Sequence, residues 1–274
     1  MIKISAIVIT KNAEEMIADC LDSLSFCEEI IIVDNKSEDR TCEIAEKMGA
    51  RVVEHSSHDF SEMRNMGMRK AMGEWLLYID TDERVTAALA ADIKYQISRL
   101  PAERANISPA GLPRQVKAGE AGKYTAFRVK RKNFYFGNHE WPYIERLERL
   151  FRKDKLEGWY GKLHESPKFK GEIGELDGYL CHYTRRNLSA MLEKTIEWSK
   201  IEAELRFNSG HPKMTWWRFP RVMLTAFLDY YIKQGGWKVG VVGLIESMYQ
   251  SYSIFITYAR LWEMQEKLKI KNEK

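Results

Sequence analysis

The chain has 274 residues, which is long enough for one large α/β domain with an appendage or for two small domains. It carries 43 Lys and Arg against 39 Asp and Glu, and a net charge of +4 is too small to indicate a nucleic-acid-binding protein without a clustered basic stripe. Phosphate-bearing ligands or an anionic membrane surface fit this charge better. The four cysteines show no CxxC pair and no metal-finger spacing, which indicates reduced thiols in a cytosolic protein. Because the N-terminus leads straight into an apolar strand, we expect no signal peptide.

Short apolar runs alternate with amphipathic stretches over the first hundred residues, which is typical of βαβ units around a parallel sheet. Strands are predicted at 4–9, 29–33, 51–54 and 75–79, and helices at 13–23, 39–48 and 60–71. Asn12 is predicted to cap the first helix, and Gly49 and Gly73 to end the second and third.

Residues 101–122 break this alternation, because they combine Pro, Gly, Ala and mixed charge without apolar periodicity. We expect a loop excursion there. Sheet-like sequence returns at 124–129, 146–151 and 178–183, and the chain beyond Arg185 is predicted to be helical. The sequence therefore predicts two regions, 1–185 and 186–274.

Segment 75–84 is the most informative part of the chain, since a buried strand runs directly into three carboxylates. The run from Trp75 to Ile79 has no charge, so Asp80, Asp82 and Glu83 must emerge together at its C-terminal end, where open α/β sheets bind their ligands. These acids repel one another unless a cation is present. Oxygen ligands at this spacing suit Mg²⁺ or Mn²⁺ carrying phosphate.

Polar residues also follow the first two predicted strands. Asp34 comes directly after the second strand and could accept hydrogen bonds from a base or ribose. Ser37 and Asp39 follow it, either as ligand-binding residues or as caps of the next helix. Thr10 and Asn12 end the first strand, and neighbouring parallel strands share one carboxyl edge. We therefore expect the ends of strands one, two and four around one crevice.

The third predicted helix carries Arg64, Asn65 and Gly67. Arg64 could face the crevice and pair with a diphosphate, although a solvated helix arginine is the more common arrangement. Gly67 would let another element pack closely against the helix.

Five motifs in order carry a resemblance: Ile7-Val8-Ile9-Thr10-Lys11-Asn12, Ile31-Ile32-Val33-Asp34 with Ser37 and Asp39, Arg64-Asn65-Met66-Gly67, Gly73-Glu74-Trp75, and Asp80-Thr81-Asp82-Glu83-Arg84. Together they resemble the family 2 glycosyltransferases with the GT-A fold. Within that family the chain is most similar to the bacterial β-glucosyltransferases of the lipopolysaccharide core. Each motif alone is weak, but their order and separations over about the first hundred residues are specific.

The resemblance implies an α/β fold of the GT-A type, a Rossmann-like and mainly parallel sheet flanked by helices, with a helical C-terminal extension. It implies a nucleotide-sugar donor, a UDP-hexose, bound by the half of the catalytic region within about residues 1–100. The expected donor-binding residues are Thr10, Asn12, Asp34, Ser37, Asp39, Arg64, Asn65 and Asp80. Asp80 would lie near the ribose and the metal, and Asp82 would ligate an Mn²⁺ or Mg²⁺ ion that bridges both phosphates.

Family 2 enzymes invert the anomeric centre, so the resemblance also implies a base that deprotonates the acceptor hydroxyl. Glu165, at the end of Trp159-Tyr160-Gly161-Lys162-Leu163-His164-Glu165, is the candidate, because a His-Glu pair occurs at this place in the resembling family. Aromatic and glycine neighbours could desolvate its carboxylate and strengthen it as a base. The alternative is an ordinary surface glutamate.

Two further groups are candidates for the same site. His182 ends a short apolar run and could complete the metal shell with a neutral imidazole nitrogen, unless it is a structural hydrogen bonder. His164 competes for that role. Arg146 and Arg149 could orient acceptor or phosphate, or could lie on an exposed strand face.

The C-terminal third is rich in aromatic and basic residues of the kind found at bilayer interfaces: Trp216, Trp217, Phe219, Phe227, Tyr230, Tyr231 and Trp237, with Arg218, Arg221, Lys233 and Lys238. Residues 239–259 contain Glu246 as their only charge and approach the length of a spanning helix. Three arrangements stay open, of which docking on a membrane surface or hydrophobic partner is favoured over internal packing and over spanning.

The sequence predicts an inverting, metal-dependent glycosyltransferase that moves a hexose, glucose by resemblance, from a UDP-sugar to a saccharide acceptor of a cell-envelope glycolipid such as the lipopolysaccharide core. The protein would be cytoplasmic, or peripheral on the inner face of the cytoplasmic membrane, where a lipid-linked acceptor lies, and residues 101–122 could form an acceptor lid. Two alternatives remain: a transferase acting on polyprenyl phosphate, and an inactive membrane-associated scaffold. A sugar nucleotidyltransferase is disfavoured, because residues 10–15 lack the glycine-rich phosphate loop.

Overall fold

A computed structural model of the chain describes residues 3–57, 59–98, 123–161, 165–184 and 187–272. The loop excursion and acceptor lid expected at 101–122 lie outside the described residues. The chain forms two compact units, of which the first comprises Met1–Arg131 and Glu145–His182. The second comprises Lys132–Ile144 and Tyr183–Lys274.

The strands are β1 (Ile4–Thr10), β2 (Glu29–Asp34), β3 (Arg51–Glu54), β4 (Trp75–Asp80), β5 (Glu83–Val85), β6 (Tyr124–Tyr135), β7 (His139–Glu140), β8 (Glu145–Arg152), β9 (Leu156–Tyr160), β10 (Ser166–Phe169) and β11 (Glu172–Tyr183). The helices of the first unit are α1 (Ile17–Ser23), α2 (Thr41–Lys47), α3 (Phe60–Lys70) and α4 (Ala87–Ser98). The predicted strands all form, whereas β5, β7, β9 and β10 are additional.

The central sheet has the strand order β3-β2-β1-β4-β8-β6-β11-β5. Strands β3, β2, β1 and β4 are parallel, which confirms the expected α/β class and the four βαβ-type strands. The sheet is mixed rather than mainly parallel, because β8 joins β4 in antiparallel orientation and β6 continues that pattern.

Apolar side chains cover both faces of the sheet. One face packs Ile17, Leu21 and Leu24 of α1 and its C-terminal turn over the strands, and the other packs Met63 of α3. Gly67 of α3 lies against β1, since a Cβ at this position would collide with the side chain of Ile7. The expected close approach at Gly67 is therefore to β1.

Two helices begin later than predicted. Asn12 has φ of 48° and its side-chain oxygen accepts a hydrogen bond from Glu38 N–H at 2.8 Å, so it does not cap a helix and α1 begins only at Ile17. The helix predicted at 39–48 begins at Thr41, because Asp39 accepts from Thr41 N–H as a turn residue. Gly73 does not end α3; it follows the end of the helix and donates its N–H to Ser5 Oγ at 2.8 Å.

The second unit contains α5 (Leu188–Asn208), α6 (Arg218–Leu228), a π-helical turn (Asp229–Lys233), a 3-10 turn (Gly236–Val239) and α7 (Val241–Asn272). The helical prediction beyond Arg185 is confirmed. Strand β7 pairs with the end of β6 and brings Trp141 onto Tyr230 and Gln234, whose Oε1 accepts from the indole N–H at 3.1 Å. Among the residues described, no helix is both long and apolar enough to cross a membrane.

Candidate active site

Three strand ends meet at the carboxyl edge of the parallel half of the sheet. Thr10 of β1 lies in register with Asp34 of β2, and Ile9 lies in register with Asp80 of β4. Thr10 and Asp34 are 5% and 3% exposed, so both side chains lie at the bottom of this edge. The structure thus brings together the three strand ends that the sequence places around one crevice.

The loops after β1 and β2 are tied to each other by the predicted polar residues. Asp34 accepts hydrogen bonds from both the hydroxyl and the N–H of Ser37, the latter at 2.8 Å. The Ser37 hydroxyl in turn accepts from Asn12 N–H at 2.8 Å. Both loops use a left-handed backbone residue, Asn12 and Lys36 with φ of 48° and 54°. Asn12 and Ser37 therefore shape the loop pair that encloses Asp34.

Asp39 has the same kind of role one turn further on. Its carboxylate accepts from Glu14 N–H and from Thr41 N–H, each at 3.0 Å. The Thr41 hydroxyl accepts from Ala13 N–H at 2.7 Å. These contacts fix the β1–α1 loop to the start of α2, so Asp39 acts on the shape of the crevice.

Helix α3 directs one side chain into the site and another away from it. Arg64 is 3% exposed, which excludes the solvated helix arginine, and its guanidinium stacks 4.9 Å from the Trp159 ring. Asn65 donates to Trp159 O at 2.8 Å and accepts from Trp159 N–H at 2.9 Å. Because its amide is satisfied by the backbone of β9, Asn65 fixes β9 against α3 and so positions the ring on which Arg64 lies.

Asp80 is held between two arginines at the end of β4. Arg149 donates to Oδ2 at 2.8 Å and Arg64 donates to Oδ1 at 2.9 Å. Burial opposes ionisation of Asp80, but the positive charges of Arg149 and Arg64 outweigh it and keep the pKa of this carboxyl well below its usual range. Asp80 is therefore an anion in a fixed orientation.

Glu83 is fully buried beneath Asp80 and is also paired with arginines. Its Oε1 accepts from Arg131 at 2.9 Å and from Arg149 at 3.0 Å. The expectation that a cation must offset Asp80, Asp82 and Glu83 together was wrong for Asp80 and Glu83, since these arginines offset both. Arg149 is only 6% exposed, so the alternative of an exposed strand face is excluded for it, whereas the side chain of Arg146 is 60% exposed.

Asp82 lies on the other side of the β4–β5 turn and faces a histidine. Its Oδ2 is 3.1 Å from His182 Nε2 of β11. Arg84 donates to the carbonyl oxygens of Thr81 and Met16, at 2.8 Å each, and so fixes the turn that carries Asp82. The sequence-predicted pair Asp82 and His182 is thus brought together, while His164 lies outside the described residues.

The donor set at this turn fits a metal that is only partly coordinated by protein. Within the described residues, no cluster of three or more His, Cys, Asp or Glu side chains could hold a metal ion. Asp82 supplies a carboxylate oxygen, which suits Mn²⁺ or Mg²⁺, and His182 supplies an imidazole nitrogen, which suits Mn²⁺ better than Mg²⁺. Either ion would keep further positions for phosphate and water. Each oxygen of Asp80 accepts a hydrogen bond from one arginine and keeps a second lone pair, so the expected position of Asp80 near the ribose and the metal stays a prediction.

Glu165 reaches the same crevice from the segment before β10. Its Oε1 accepts from Arg64 Nε at 2.9 Å, and its side chain is 15% exposed. The alternative of an ordinary surface glutamate is therefore excluded by its burial and its partner. One guanidinium, that of Arg64, contacts both Asp80 and Glu165.

Arg131 and Trp159 lie in the site although the sequence did not predict them there, and the sequence left two roles open for Arg149. One observation could have found the arginines. Two carboxylates that adjoin an apolar strand need counter-charges, and β8 and β6 carry arginines three residues apart. Successive arginines therefore lie on opposite faces of each strand, so that an arginine falls on the buried face as well as on the exposed one.

Comparison with known proteins places the chain in a family. The model of the family described as Glycosyl transferase family 2 matches residues 5–171, which include every site residue except His182. The lipopolysaccharide core biosynthesis glycosyltransferase LpsC of Rhizobium meliloti is 26% identical, over 95% of this chain and 92% of its own length. An uncharacterized glycosyltransferase of Rickettsia typhi is 25% identical, over 97% of this chain and 89% of its own length.

Solved structures are also similar to this chain. The crystal structure of S. aureus TarS 1–349 in complex with UDP-GlcNAc matches with a TM-score of 0.42 and 14% identity, over 98% of this chain and 92% of that one. Glucosyl-3-phosphoglycerate synthase from Mycobacterium tuberculosis, in complex with Mn²⁺, UDP-glucose and phosphoglyceric acid, matches with a TM-score of 0.33 and 20% identity, over 50% of this chain and 45% of that one. On the match of its family model, the chain belongs to glycosyl transferase family 2 and is a glycosyltransferase.

Proposed function

We propose that this chain is an inverting, metal-dependent hexosyltransferase that uses a UDP-hexose donor, with glucose as the hexose, and a saccharide acceptor on a cell-envelope glycolipid such as the lipopolysaccharide core. The observation that carries the proposal is the position of Arg64, which contacts Asp80 at the donor side and Glu165 at the acceptor side. One residue thereby sets the distance between a donor-binding carboxylate and a base.

The donor would occupy the crevice between the ends of β1, β2 and β4. Asp34 and Thr10 would line the nucleoside end, inside the loop pair that Asn12, Ser37 and Asp39 hold in shape. Asp80 would accept from the ribose. Asp82 and His182 would hold an Mn²⁺ or Mg²⁺ ion, which when bound neutralises the charge of the departing diphosphate.

Glu165 would act on the acceptor. In an inverting transfer the acceptor oxygen forms a bond to the anomeric carbon, the bond from that carbon to the diphosphate breaks, and the acceptor proton passes to the base. Arg64 contacts one of the two Glu165 oxygens, and this contact fixes the direction of the carboxylate. Orientation of a base at the reacting hydroxyl is a large part of its effect on rate.

A lipid-linked acceptor requires that the enzyme work at a membrane surface, and the second unit exposes a surface of that character. Val241, Leu244, Ile245, Met248 and Tyr252 recur at helical spacing on α7, and each is at least 40% exposed. Leu224, Leu228 and Ile232 form a second exposed row on α6 and its π-helical turn. These two rows, together with Trp216, Trp217 and Trp237, are called the apolar surface below.

Charge complementarity favours an anionic bilayer as the partner of the apolar surface. Residues 211–245 contain Lys213, Arg218, Arg221, Lys233 and Lys238 against Asp229 alone, so they carry a net charge of +4, equal to that of the whole chain. Arg218 and Arg221 lie 5.6 and 5.9 Å from the Trp217 ring. Basic residues among exposed Trp and Leu side chains suit the boundary between headgroups and acyl chains.

The lipopolysaccharide relative supports the class of acceptor. LpsC is named as a lipopolysaccharide core biosynthesis glycosyltransferase and matches nearly the full length of this chain. A polyprenyl phosphate acceptor is the second candidate. It differs from a sugar hydroxyl in one testable respect: its oxygen is already ionised, so transfer to it would not need Glu165.

Donor binding is the experiment that tests the proposal. Purified protein is titrated calorimetrically with UDP-, GDP- and dTDP-hexoses, with Mn²⁺, with Mg²⁺ and with EDTA, alongside the Asp82→Ala variant. We expect one UDP-hexose to bind in the presence of metal and to lose that binding in the variant. Asp154→Ala, which removes an exposed carboxylate that pairs with Arg152, is the control and should bind as wild type. Absence of binding to every sugar nucleotide by folded protein would refute the proposal.

A further inference from the structure

Glu83 is the most completely enclosed carboxylate at the site, yet no role in the reaction described above uses it. Its side chain is 0% exposed. Its Oε2 accepts from the N–H of Asp80 at 2.9 Å, and its Oε1 accepts from Arg131 and Arg149. Both oxygens are therefore committed to neighbours inside the protein, and Glu83 has no surface to offer to a substrate.

One nitrogen connects Glu83 to the donor-binding carboxylate. Arg149 Nη2 donates to Glu83 Oε1 at 3.0 Å and to Asp80 Oδ2 at 2.8 Å. Glu83 thus contacts Asp80 twice, directly at its main chain and through Arg149 at its side chain. Glu83 therefore restrains both the main chain and the carboxylate of Asp80.

These contacts belong to a continuous row of alternating charges. In order, the row consists of Glu145, Arg131, Glu83, Arg149, Asp80, Arg64 and Glu165. Glu83 is the third of these seven groups and lies between Arg131 and Arg149. If it served only to neutralise arginines, it would be redundant, since Arg131 also pairs with Glu145 and Arg149 with Asp80.

Burial of a carboxylate is unfavourable unless its hydrogen bonds are well formed. The complete burial of Glu83 therefore indicates a role beyond the neutralisation of arginines. The local structure provides the precision that a positioning role requires. Glu83 begins β5, and this three-residue strand pairs with β11 so that Glu83 lies in register with His182. Its backbone is therefore held by a ladder that also carries the histidine of the proposed metal site.

We propose that Glu83 is a positioning residue for donor binding, which holds Arg149 and the main chain of β4 so that the Asp80 carboxylate faces the donor in one orientation. Glu83 does not touch the donor. This inference rests on the proposed function, because it assumes that Asp80 binds the nucleotide sugar.

A double-mutant cycle between Glu83→Gln and Arg149→Gln tests the inference, with the dissociation constant of UDP in Mn²⁺ as the readout. Glutamine keeps an acceptor for Asp80 N–H but removes the charge that holds Arg149. We expect Glu83→Gln alone to weaken UDP binding about tenfold, as for loss of one charge-assisted contact. In the Arg149→Gln background the same substitution should change binding by less than about twofold, because its route to Asp80 is already gone.

Controls separate positioning from a general loss of stability. Glu148→Gln removes a carboxylate from the same strand region, where it pairs with Arg128 at 3.1 Å, and should bind UDP as wild type. Melting curves establish that each variant is folded. If Glu83→Gln does not fold, Glu83→Asp withdraws the carboxylate by one methylene and enters the same cycle.

The outcomes are distinguishable. Equal losses of affinity in both backgrounds, or unchanged affinity in folded Glu83→Gln, would overturn the positioning role while leaving the proposed function intact. Failure of the wild-type protein to bind UDP or any UDP-hexose would instead overturn the proposed function, and this inference with it.

Discussion

Arg64 donates a hydrogen bond to Glu165 at 2.9 Å, although the two residues are 101 positions apart in the chain. The same guanidinium donates to Asp80 at 2.9 Å and stacks on Trp159. Because its planar fork can satisfy two carboxylates at fixed angles, arginine at this position sets the relative orientation of Asp80 and Glu165.

The Arg64→Lys variant should therefore lose activity while it keeps its positive charge. An ammonium is a compact charge without the fork geometry, so we expect kcat to fall by about 10- to 100-fold, the value of one or two charge-assisted hydrogen bonds. Steady-state kinetics with donor and acceptor measure this. Arg69→Lys, on the exposed side of the same helix, is the matched control. Turnover within about twofold of wild type in Arg64→Lys would contradict the bridging role.

Glu165→Gln separates the two acceptor classes. If the acceptor is a sugar hydroxyl, loss of the base should lower kcat by about 10²- to 10⁴-fold while the dissociation constant of the UDP-sugar stays near that of wild type. If the acceptor is a polyprenyl phosphate, turnover should be little changed, since the attacking oxygen is already ionised. Single-turnover assays with each acceptor class distinguish the two results.

The His182→Gln variant should need a higher concentration of metal for activity. The imidazole lies 3.1 Å from Asp82, so its removal leaves the proposed ion with one protein ligand fewer. We expect the Mn²⁺ concentration for half-maximal activity to rise by about tenfold or more, with recovery of turnover at high Mn²⁺. His211→Gln in the second unit is the control. A metal response identical to wild type in His182→Gln would remove His182 from the metal site.

The apolar surface should bind anionic vesicles. With about 1 kcal/mol from each basic residue near such a surface, partitioning onto phosphatidylglycerol-containing vesicles should exceed that onto phosphatidylcholine by at least about tenfold, and it should weaken in high salt. Co-sedimentation measures this. Leu228→Glu should reduce binding, whereas Leu192→Glu on α5, which is also partly exposed, should not.

Dimerisation through the apolar surface would give a different result from membrane binding. If a second copy of the chain covers this surface, sedimentation velocity should show a concentration-dependent dimer, and the Leu228→Glu variant should be monomeric. The protein should then not bind vesicles. That outcome would contradict membrane docking.

Acidification should favour the folded state through Asp92. Burial raises the pKa of its carboxyl, and this effect exceeds the opposing hydrogen bonds from Asp177 N–H and Gln96. The Asp92 carboxyl of the folded protein therefore takes up its proton at a higher pH than in the unfolded chain, where aspartate titrates at about pH 3.9. The contribution of Asp92 to stability is therefore lost as pH rises through its folded pKa and regained as pH falls.

Asp92→Asn provides the reference for that measurement, because asparagine does not titrate. The free energy of unfolding of wild type minus that of the variant should become more favourable to wild type between neutral pH and about pH 4. Urea unfolding at each pH measures the difference. A constant difference, or one that moves the other way, would contradict the shifted pKa.

The parallel half of the fold follows from the sequence because its strands are apolar on both faces. Strands β1, β2 and β4 each contain an apolar run, at 6–9, 30–33 and 75–79, and a polar residue marks the end of each: Thr10, Asp34 and Asp80. Such runs have few alternatives to a buried parallel strand. The strand ends, and with them the location of the crevice, were therefore predictable.

The charge pairs inside the crevice were not predictable, since they depend on long-range register. Arg149 lies in Glu145–Arg152, whose alternating acids and arginines are equally typical of an exposed strand. Only the pairing of β8 with β4 turns Arg149 towards Asp80. Asn12 shows the same limit at short range, because its left-handed backbone depends on a hydrogen bond from a different loop.

The second compact unit draws on two separate stretches of chain, Lys132–Ile144 and Tyr183–Lys274. Trp141, on the first stretch, is 1% exposed because Tyr230 and the turn at Gly236, on the second stretch, cover its ring. A protein shortened to end near residue 184 would keep the tryptophan and lose its cover. Removal of the C-terminal helices would thus expose the Trp141 ring beside the β6–β7 hairpin, and an exposed aromatic side chain favours aggregation. The C-terminal helices are therefore needed to complete the fold of the residues that precede them.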